Sequence, residues 1–384
     1  MGLPRLYVTS RACALLLILW LAMQPSEARA DNPFARTLSF NDGSEIVAFD
    51  WFDDYNILLY TVNPHGSILW KHNISDGTRS KIITATQLSN IFAAGTDISK
   101  LRLSVSSSHN YLLFYEPYTN PNSKPFFEVI RINGQEPELV KFANFPPDFW
   151  VNAFAWDPND QYLYISAVPY LFPNEPTSIG RLSLNTNSFV ALTIKDNADL
   201  VDEIVYSSKL DSLIINCWSF RGEYPKERYI LKYDFYKNEI EILGLFPYVH
   251  DVHITASGEG IYFSFASKDT NGDGFLDWMD ETDISTFNLE RKENQILMRY
   301  SGYEIDPIVT NDRKWMGYLR IPERIGRRPR QDDPKQLWIM QLAERREILV
   351  TDSCAGYLFS RDSKKVLALS ADSLQVEVFE LPTY

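Results

Sequence analysis

The sequence predicts an all-β fold, a seven-bladed β-propeller closed by an N-terminal strand on the last blade. Three observations carry that reading. One phrase recurs along the chain: an apolar strand, a short Ser/Asp/Asn/Gly turn, then a second apolar strand. Its copies are evenly spaced, and no long helical pattern interrupts the strands.

Residues 1–30 come first and are set apart from the fold. Arg5 and Arg11 form a basic start, residues 12–23 an apolar run, and Ala28-Arg29-Ala30 a small-residue cleavage site, the pattern of a signal peptide. The apolar run is too short to cross the ~30 Å hydrocarbon core of a bilayer as a helix. The expectation is an exported chain, secreted or periplasmic, with no transmembrane segment after cleavage. Residues 31–384 then form a single propeller domain, expected to be a monomer. Cleavage removes Arg5, Arg11, Arg29 and Glu27, which carries the formal net charge from −13 to −15. A surface this acidic argues against a nucleic-acid partner, because phosphate binding needs a basic field. Cys217 and Cys354 remain; in an exported chain they could pair, but the favoured reading is two small core residues. Asn73-Ile74-Ser75 is a glycosylation sequon, meaningful only in a eukaryotic source.

The recurring phrase occupies residues 49–60, 156–164 and 359–369, with further copies centred on Leu112, Ile214, Tyr262 and Met316. Equivalent positions fall at 58, 112, 163, 214, 262, 316 and 367, intervals of 48 to 54 residues. Seven such units, each with room for four strands, are what a propeller requires. Two further strand-like runs follow each hairpin, as at 128–132 and 139–142. The last unit, 356–381, has only three strand-like runs, at 357–360, 366–370 and 375–381. Residues 36–40 offer a spare strand before the first unit begins at Ile46. Adding it to the last blade would cover an edge that otherwise invites aggregation.

The pattern apolar-Ser-x-Asp-x-(x)-x-apolar-x-apolar at 359–369 and 156–165 resembles the TolB-type, WD40-like (PD40) propeller repeat. The Asp-Gly usual in that turn is Asp362-Ser363, Asn159-Asp160 or Ser257-Gly258 here. The resemblance implies an exported scaffold, or a propeller of the kind attached to peptidases. A TolB-like N-terminal α/β domain is not expected, since the repeats start next to the cleavage site, so TolB's partners are not carried over.

Strand alternation assigns the connections to faces. Those from strand two to strand three share one face of the ring with those from blade to blade. Five strand-two-to-three connections are long: 116–127, 168–178, 218–228, 268–283 and 322–336, in blades two to six. Loops on a rigid scaffold are where binding residues concentrate. In them Tyr118, Phe126, Tyr170, Phe172, Phe220 and Tyr224 alternate with prolines 117, 121, 125, 169, 173, 176 and 225. Aromatic rings give adhesive area with few rotors, and proline limits the entropy lost on ordering. The rings either form a recognition surface or fold back over the blade edges. Arg324, Arg327, Arg328 and Arg330 make a cationic cluster in the sixth-blade loop. It could anchor an anionic group, since arginine forks match carboxylates and phosphates; the favoured reading is a solvated loop pairing with nearby aspartates.

The fifth-blade loop, 269–280, carries the sharpest chemical signal. Asp269, Asn271, Asp273, Asp277 and Asp280 place side-chain oxygens at loop positions 1, 3, 5, 9 and 12, with Gly274 at position 6 and the Phe275 carbonyl at 7. Calcium takes six to eight oxygens, and this spacing wraps them round one point. The loop resembles an EF-hand loop, closer to the dockerin variant that ends in Asp. The alternative is an Asx-rich turn without metal. Residues 261–266 before it read as a strand, not a helix, so the ion is expected to pin a loop at a sheet and act structurally.

Catalytic signatures are sparse. The sequence has no Gly-x-Ser-x-Gly, no His-Glu-x-x-His and no P-loop. Of its five histidines only His250 and His253 are close, and on a strand an odd separation points them apart. The sequence therefore predicts an exported, calcium-binding propeller that binds a protein, peptide or glycan partner through one face without catalysis. The alternative is a propeller hydrolase or lyase using carboxylates at the mouth of the central channel.

Overall fold

In five of the blades the first hairpin is built by one turn chemistry. Ser106, Asp157, Thr255, Thr310 and Ser360 each donate their amide to the carbonyl of the residue five positions on, at 2.9–3.0 Å. Their side-chain oxygens accept the amides of Tyr111, Gln161, Gly260, Trp315 and Lys365. Three positions into each turn the backbone is left-handed, at His109, Asp160, Gly258, Arg313 and Ser363 (φ 52–67°). Short polar side chains that bond their own backbone favour such turns. Only blade five puts glycine at the left-handed position, which is why a strict Asp-Gly repeat is not visible in the sequence.

The computed structural model describes residues 36–382, apart from 41, 93–100, 117–125, 135, 146–148, 170–177, 193–199, 220–226, 248, 277–278, 300–301 and 322–332. A first strand, β1 (Arg36–Ser39), precedes the blades. Blade one is β2 (Glu45–Trp51), β3 (Asn56–Asn63), β4 (Gly66–Asn73) and β5 (Arg79–Ile83); the helix α1 (Ala85–Ile91) follows. Blade two is β6 (Arg102–Val105), β7 (Tyr111–Tyr115), β8 (Phe127–Arg131) and β9 (Glu138–Val140). Blade three is β10 (Phe149–Trp156), β11 (Tyr162–Pro169), β12 (Ser178–Ser183) and β13 (Ser188–Leu192). Blade four is β14 (Leu200–Ser207), β15 (Ser212–Ser219), β16 (Glu227–Asp234) and β17 (Glu239–Pro247). Blade five is β18 (Val249–Ile254), β19 (Gly260–Ala266), β20 (Thr282–Asn288) and β21 (Glu293–Met298). Blade six is β22 (Tyr303–Val309), β23 (Trp315–Ile321), β24 (Gln336–Gln341) and β25 (Arg346–Thr351). The last strands are β26 (Gly356–Phe359), β27 (Lys365–Leu369) and β28 (Gln375–Glu380).

Each blade is a four-stranded antiparallel sheet in chain order, and the seventh has the order β1-β28-β27-β26. The ring is therefore closed by the N-terminal strand, in the register Arg36↔Val378, Thr37↔Glu377, Leu38↔Val376 and Ser39↔Gln375. The seven positions read as equivalent in the sequence all fall in the second strand of their blades.

The core lies between blades. Seven apolar clusters each join one blade to the next, so the hydrophobic driving force is spread round the ring. The seam at the clasp is filled by Leu38, Ile46, Trp51, Ile57, Leu59, Val376 and Val378. The seam between blades five and six has the smallest apolar set. It holds a buried polar network as well. The Thr282 hydroxyl donates to the Glu304 carbonyl at 2.7 Å, Arg320 Nη2 donates to Glu304 Oε1 at 3.1 Å, and the Tyr318 hydroxyl donates to Glu347 at 2.9 Å.

The helix α1 stands apart from the strand pattern. Thr84 caps it in a capping box with Gln87, and Leu88 buries its one anchor in the seam between blades one and two. Cys217 and Cys354 are both buried and are not joined in a disulfide, which agrees with the core reading.

Candidate binding face and its carboxylates

All five long connections join strand two to strand three of blades two to six, as between β7 and β8 or between β23 and β24. They leave the ring on one face, which they share with the blade-to-blade connections. Tyr118, Tyr170, Phe172, Phe220, Tyr224, Arg324, Arg327, Arg328 and Arg330 lie outside the described residues, as does Asp277. The stems that carry them are described, and so is the channel mouth between those stems.

That mouth is built from bulges. The innermost strands of blades one, three, four, five and six each break register near their start, at Ile46/Ala48, Val151/Ala153, Val201/Glu203, Val249/Val252 and Ile305/Ile308. A bulge adds a residue and re-aims side chains. The inserted positions include Asn152, Asp202, Asp251 and Asp306, which puts three carboxylates on three consecutive blades.

Their environments differ. Asp202 accepts Arg228 Nη1 at 3.0 Å and also takes the indole N–H of Trp218, and the Arg228 guanidinium lies 3.8 Å from the Trp218 ring centre. Trp218 and Arg228 are the stems of the fourth-blade connection, so Asp202 ties the mouth to a long loop. Its carboxyl is raised, first by loss of hydration, with Arg228 pulling the other way and Asp251 adding repulsion. Asp251 accepts the Ser264 hydroxyl at 3.1 Å and the Asp306 amide at 3.3 Å. Asp306 is itself left-handed (φ 50°), and its carboxylate has no hydrogen-bond donor among the described residues. Its carboxyl is raised, first by the protein packed round it and then by Asp251. The side chain is open on the channel side, which moderates the first cause; the repulsion rests on the geometry of the pair. The backbone there is held from the next blade, because the buried Tyr357 hydroxyl donates to the Asp306 carbonyl at 2.5 Å and accepts the Ile308 amide at 3.1 Å.

The opposite mouth is latched. Asp50 accepts the Val105 amide from the neighbouring blade at 2.9 Å, and burial pushes its carboxyl up to about 6 against the pull of Arg361. Arg361, in the blade-seven turn, reaches past blade one and donates to the carbonyls of Val105, Ser106 and Ser107 at 3.1–3.3 Å. Sequence reasoning missed this latch, the bulge carboxylates and the Tyr357 strut. Bulges leave no period to read, and the partners lie about 50 or about 250 residues apart.

The fifth-blade loop leaves β19 and returns at β20, a strand on each side as the sequence implied. Gly272 and Gly274 are left-handed (φ 79° and 87°). Asp269 accepts the amides of Gly272 and Gly274 at 2.6 and 2.9 Å, and Asp273 accepts that of Phe275 at 2.8 Å. Asp280 is fully buried and takes the amides of Thr270 and Asn271 at 2.6 and 3.2 Å. Each of these carboxylates is thus engaged by amides of the loop itself, as in an Asx-rich turn. Among the described residues, no three Asp, Glu, His or Cys side chains converge as a metal cage. His253, the close histidine, lies 3.6 Å from Glu203.

No protein-family model and no curated protein matches the sequence. Among solved structures the chain is similar to the oligogalacturonate lyase of Vibrio parahaemolyticus, with a TM-score of 0.61 at 8% identity over 91% of this chain and 97% of that one. It is also similar to U3-55K, with a TM-score of 0.54 at 13% identity over 90% and 98%. TolB from Acinetobacter baumannii aligns with a TM-score of 0.46 at 11% identity over 84% and 79%. At these identities the likeness is one of fold alone.

Proposed function

We propose that this propeller is an exported, calcium-binding protein that binds a protein, peptide or glycan partner, without catalysis, on the face bearing its five long connections. The observation that carries the reading is topological: the five elaborated connections all join strand two to strand three, in consecutive blades. Random elaboration would have spread them over both faces. Asp202, Asp251 and Asp306 open on the same face and would contribute polar contacts at its centre. Calcium would be held by Asp269, Asn271, Asp273, the Phe275 carbonyl, Asp277 and Asp280, and its role would be to fix the fifth-blade loop.

A second reading is favoured by one pair. Asp251 and Asp306 are adjacent carboxylates with Asp306 raised, an arrangement that can share a proton and serve as general acid and base in a hydrolase or lyase. Incubation with peptide, oligosaccharide and lactone panels separates the two. Intact ligand retained on the protein supports binding, and new product that disappears in Asp306→Asn supports the enzyme.

A further inference from the structure

Blade four carries a long, bare edge. Its outermost strand, β17, is nine residues long, whereas the outer strands of the other blades have three to six. An unpaired edge is normally blunted by shortness, by basic side chains or by a covering segment. β5 has Arg79 and Lys81, β25 starts at Arg346, and Ser188 of β13 is bridged by Ala143. β17 has no lysine or arginine, and among the described residues no backbone group outside its own blade bonds to it. It also leaves two large apolar side chains in water, Ile242 and Leu245, each 48% exposed. Blade four adds Leu210 and Tyr236, so four of the nine large apolar side chains exposed among the described residues lie on this one blade. Patches of this kind mark interaction surfaces.

The order of side chains says what would cover this edge. Ile240 packs into the seam towards blade three, and Ile242 follows on the same side two residues on. Glu239 and Glu241 alternate with them on the opposite side and are exposed. Glu241 stands opposite Lys232 and Glu239 opposite Asp234. Neither glutamate is in an ion pair among the described residues, whereas Asp234 takes Lys237 at 3.7 Å. A bulge at Leu243 follows, so the regular run is 239–242. We propose that the outer edge of β17 is a docking site, separate from the face of long connections, for an extended polypeptide segment of alternating basic and apolar residues. The segment adds as a fifth strand: its backbone pairs with the bare edge, its apolar side chains cover Ile240 and Ile242, and its basic ones meet Glu239 and Glu241. A second copy of this chain is a poor occupant. Pairing Glu-Ile-Glu-Ile with itself, in either direction, sets glutamate against glutamate or against isoleucine, and like charges opposite one another destabilise a sheet.

Amide hydrogen exchange of the full chain tests this, with acetylated Lys-Val-Lys-Val-Lys-Val and Glu-Val-Glu-Val-Glu-Val peptides as probes. Outward amides of an edge strand exchange freely until another strand covers them. The lysine peptide at about ten times its Kd should slow those of residues 239–242 about tenfold. The glutamate peptide should leave them unchanged. Glu239→Lys with Glu241→Lys, at two exposed positions, should exchange the preference between the two peptides. Asp202→Ala with Asp251→Ala should alter neither result, so failure here leaves the reading of the long-connection face standing. No slowing with the lysine peptide up to about 1 mM, or equal slowing with both peptides, overturns the proposal. So does slowing without peptide that rises with protein concentration alongside a dimer mass in light scattering, which would make a second copy the occupant.

Discussion

The Tyr357 hydroxyl clamps the backbone around Pro307, just after Asp306, donating to the Asp306 carbonyl at 2.5 Å and accepting the Ile308 amide at 3.1 Å. A buried hydroxyl on blade seven therefore maintains a left-handed residue on blade six. Tyr357→Phe would leave two backbone groups at a bulge without their partner. We expect a loss of about 1–3 kcal/mol in urea unfolding, the usual effect of stranding buried polar groups. Substitution of an exposed tyrosine such as Tyr236 should change stability far less.

Closure of the ring rests on a short strand. Leu38 is buried at the clasp and pairs with Val376, so Leu38→Ala should cost about 2–4 kcal/mol. Chemical denaturation measures it. A change below 0.5 kcal/mol would mean that the clasp contributes little to holding the ring shut.

The Glu304 carboxyl predicts a pH signature. Burial, with repulsion from Glu347 and Asp283, pushes it from 4.5 up to about 8 against the pull of Arg320. The folded chain holds that proton more tightly than the unfolded one. This stabilisation is complete below about pH 4.5 and is lost as the pH rises towards 8. Glu304→Gln keeps the neutral shape, so relative to wild type it should gain on the order of 3 kcal/mol between pH 5 and pH 8. Parallel denaturant titrations at the two pH values test the difference.

Arg361 offers a separate test at the far mouth. Arg361→Ala removes donors to three carbonyls and a charge near Asp50. The expected outcomes are a stability loss of about 1 kcal/mol and a rise of the Asp50 carboxyl beyond about 6, followed by carboxyl NMR.

Most of the architecture is legible before any coordinates, and the reason is physical. The hairpin turn repeats because Ser, Thr or Asp must accept a following amide, and that requirement shows in the letters at 106, 157, 255, 310 and 360. The clasp follows from a strand deficit at the chain's end. The helix α1 was hidden because seven residues with one buried anchor give no period to detect. The site was less legible. The sequence located the face and the loop at 269–280, but Asp202, Asp251 and Asp306 come together through bulges, which interrupt the alternation that marks a strand. Surface aspartates and mouth aspartates look alike in a chain with 50 acidic residues.

The most direct measurement follows the fate of ligand at the face that bears the long connections. Peptide and oligosaccharide libraries are passed over the full chain in calcium, and bound and unbound fractions are read by mass spectrometry. The account expects ligand recovered chemically intact, lost at least tenfold in Asp202→Ala with Asp251→Ala, and retained in Arg361→Ala at the opposite mouth. Altered ligand, or binding that depends on Arg361 and not on the mouth aspartates, would contradict it.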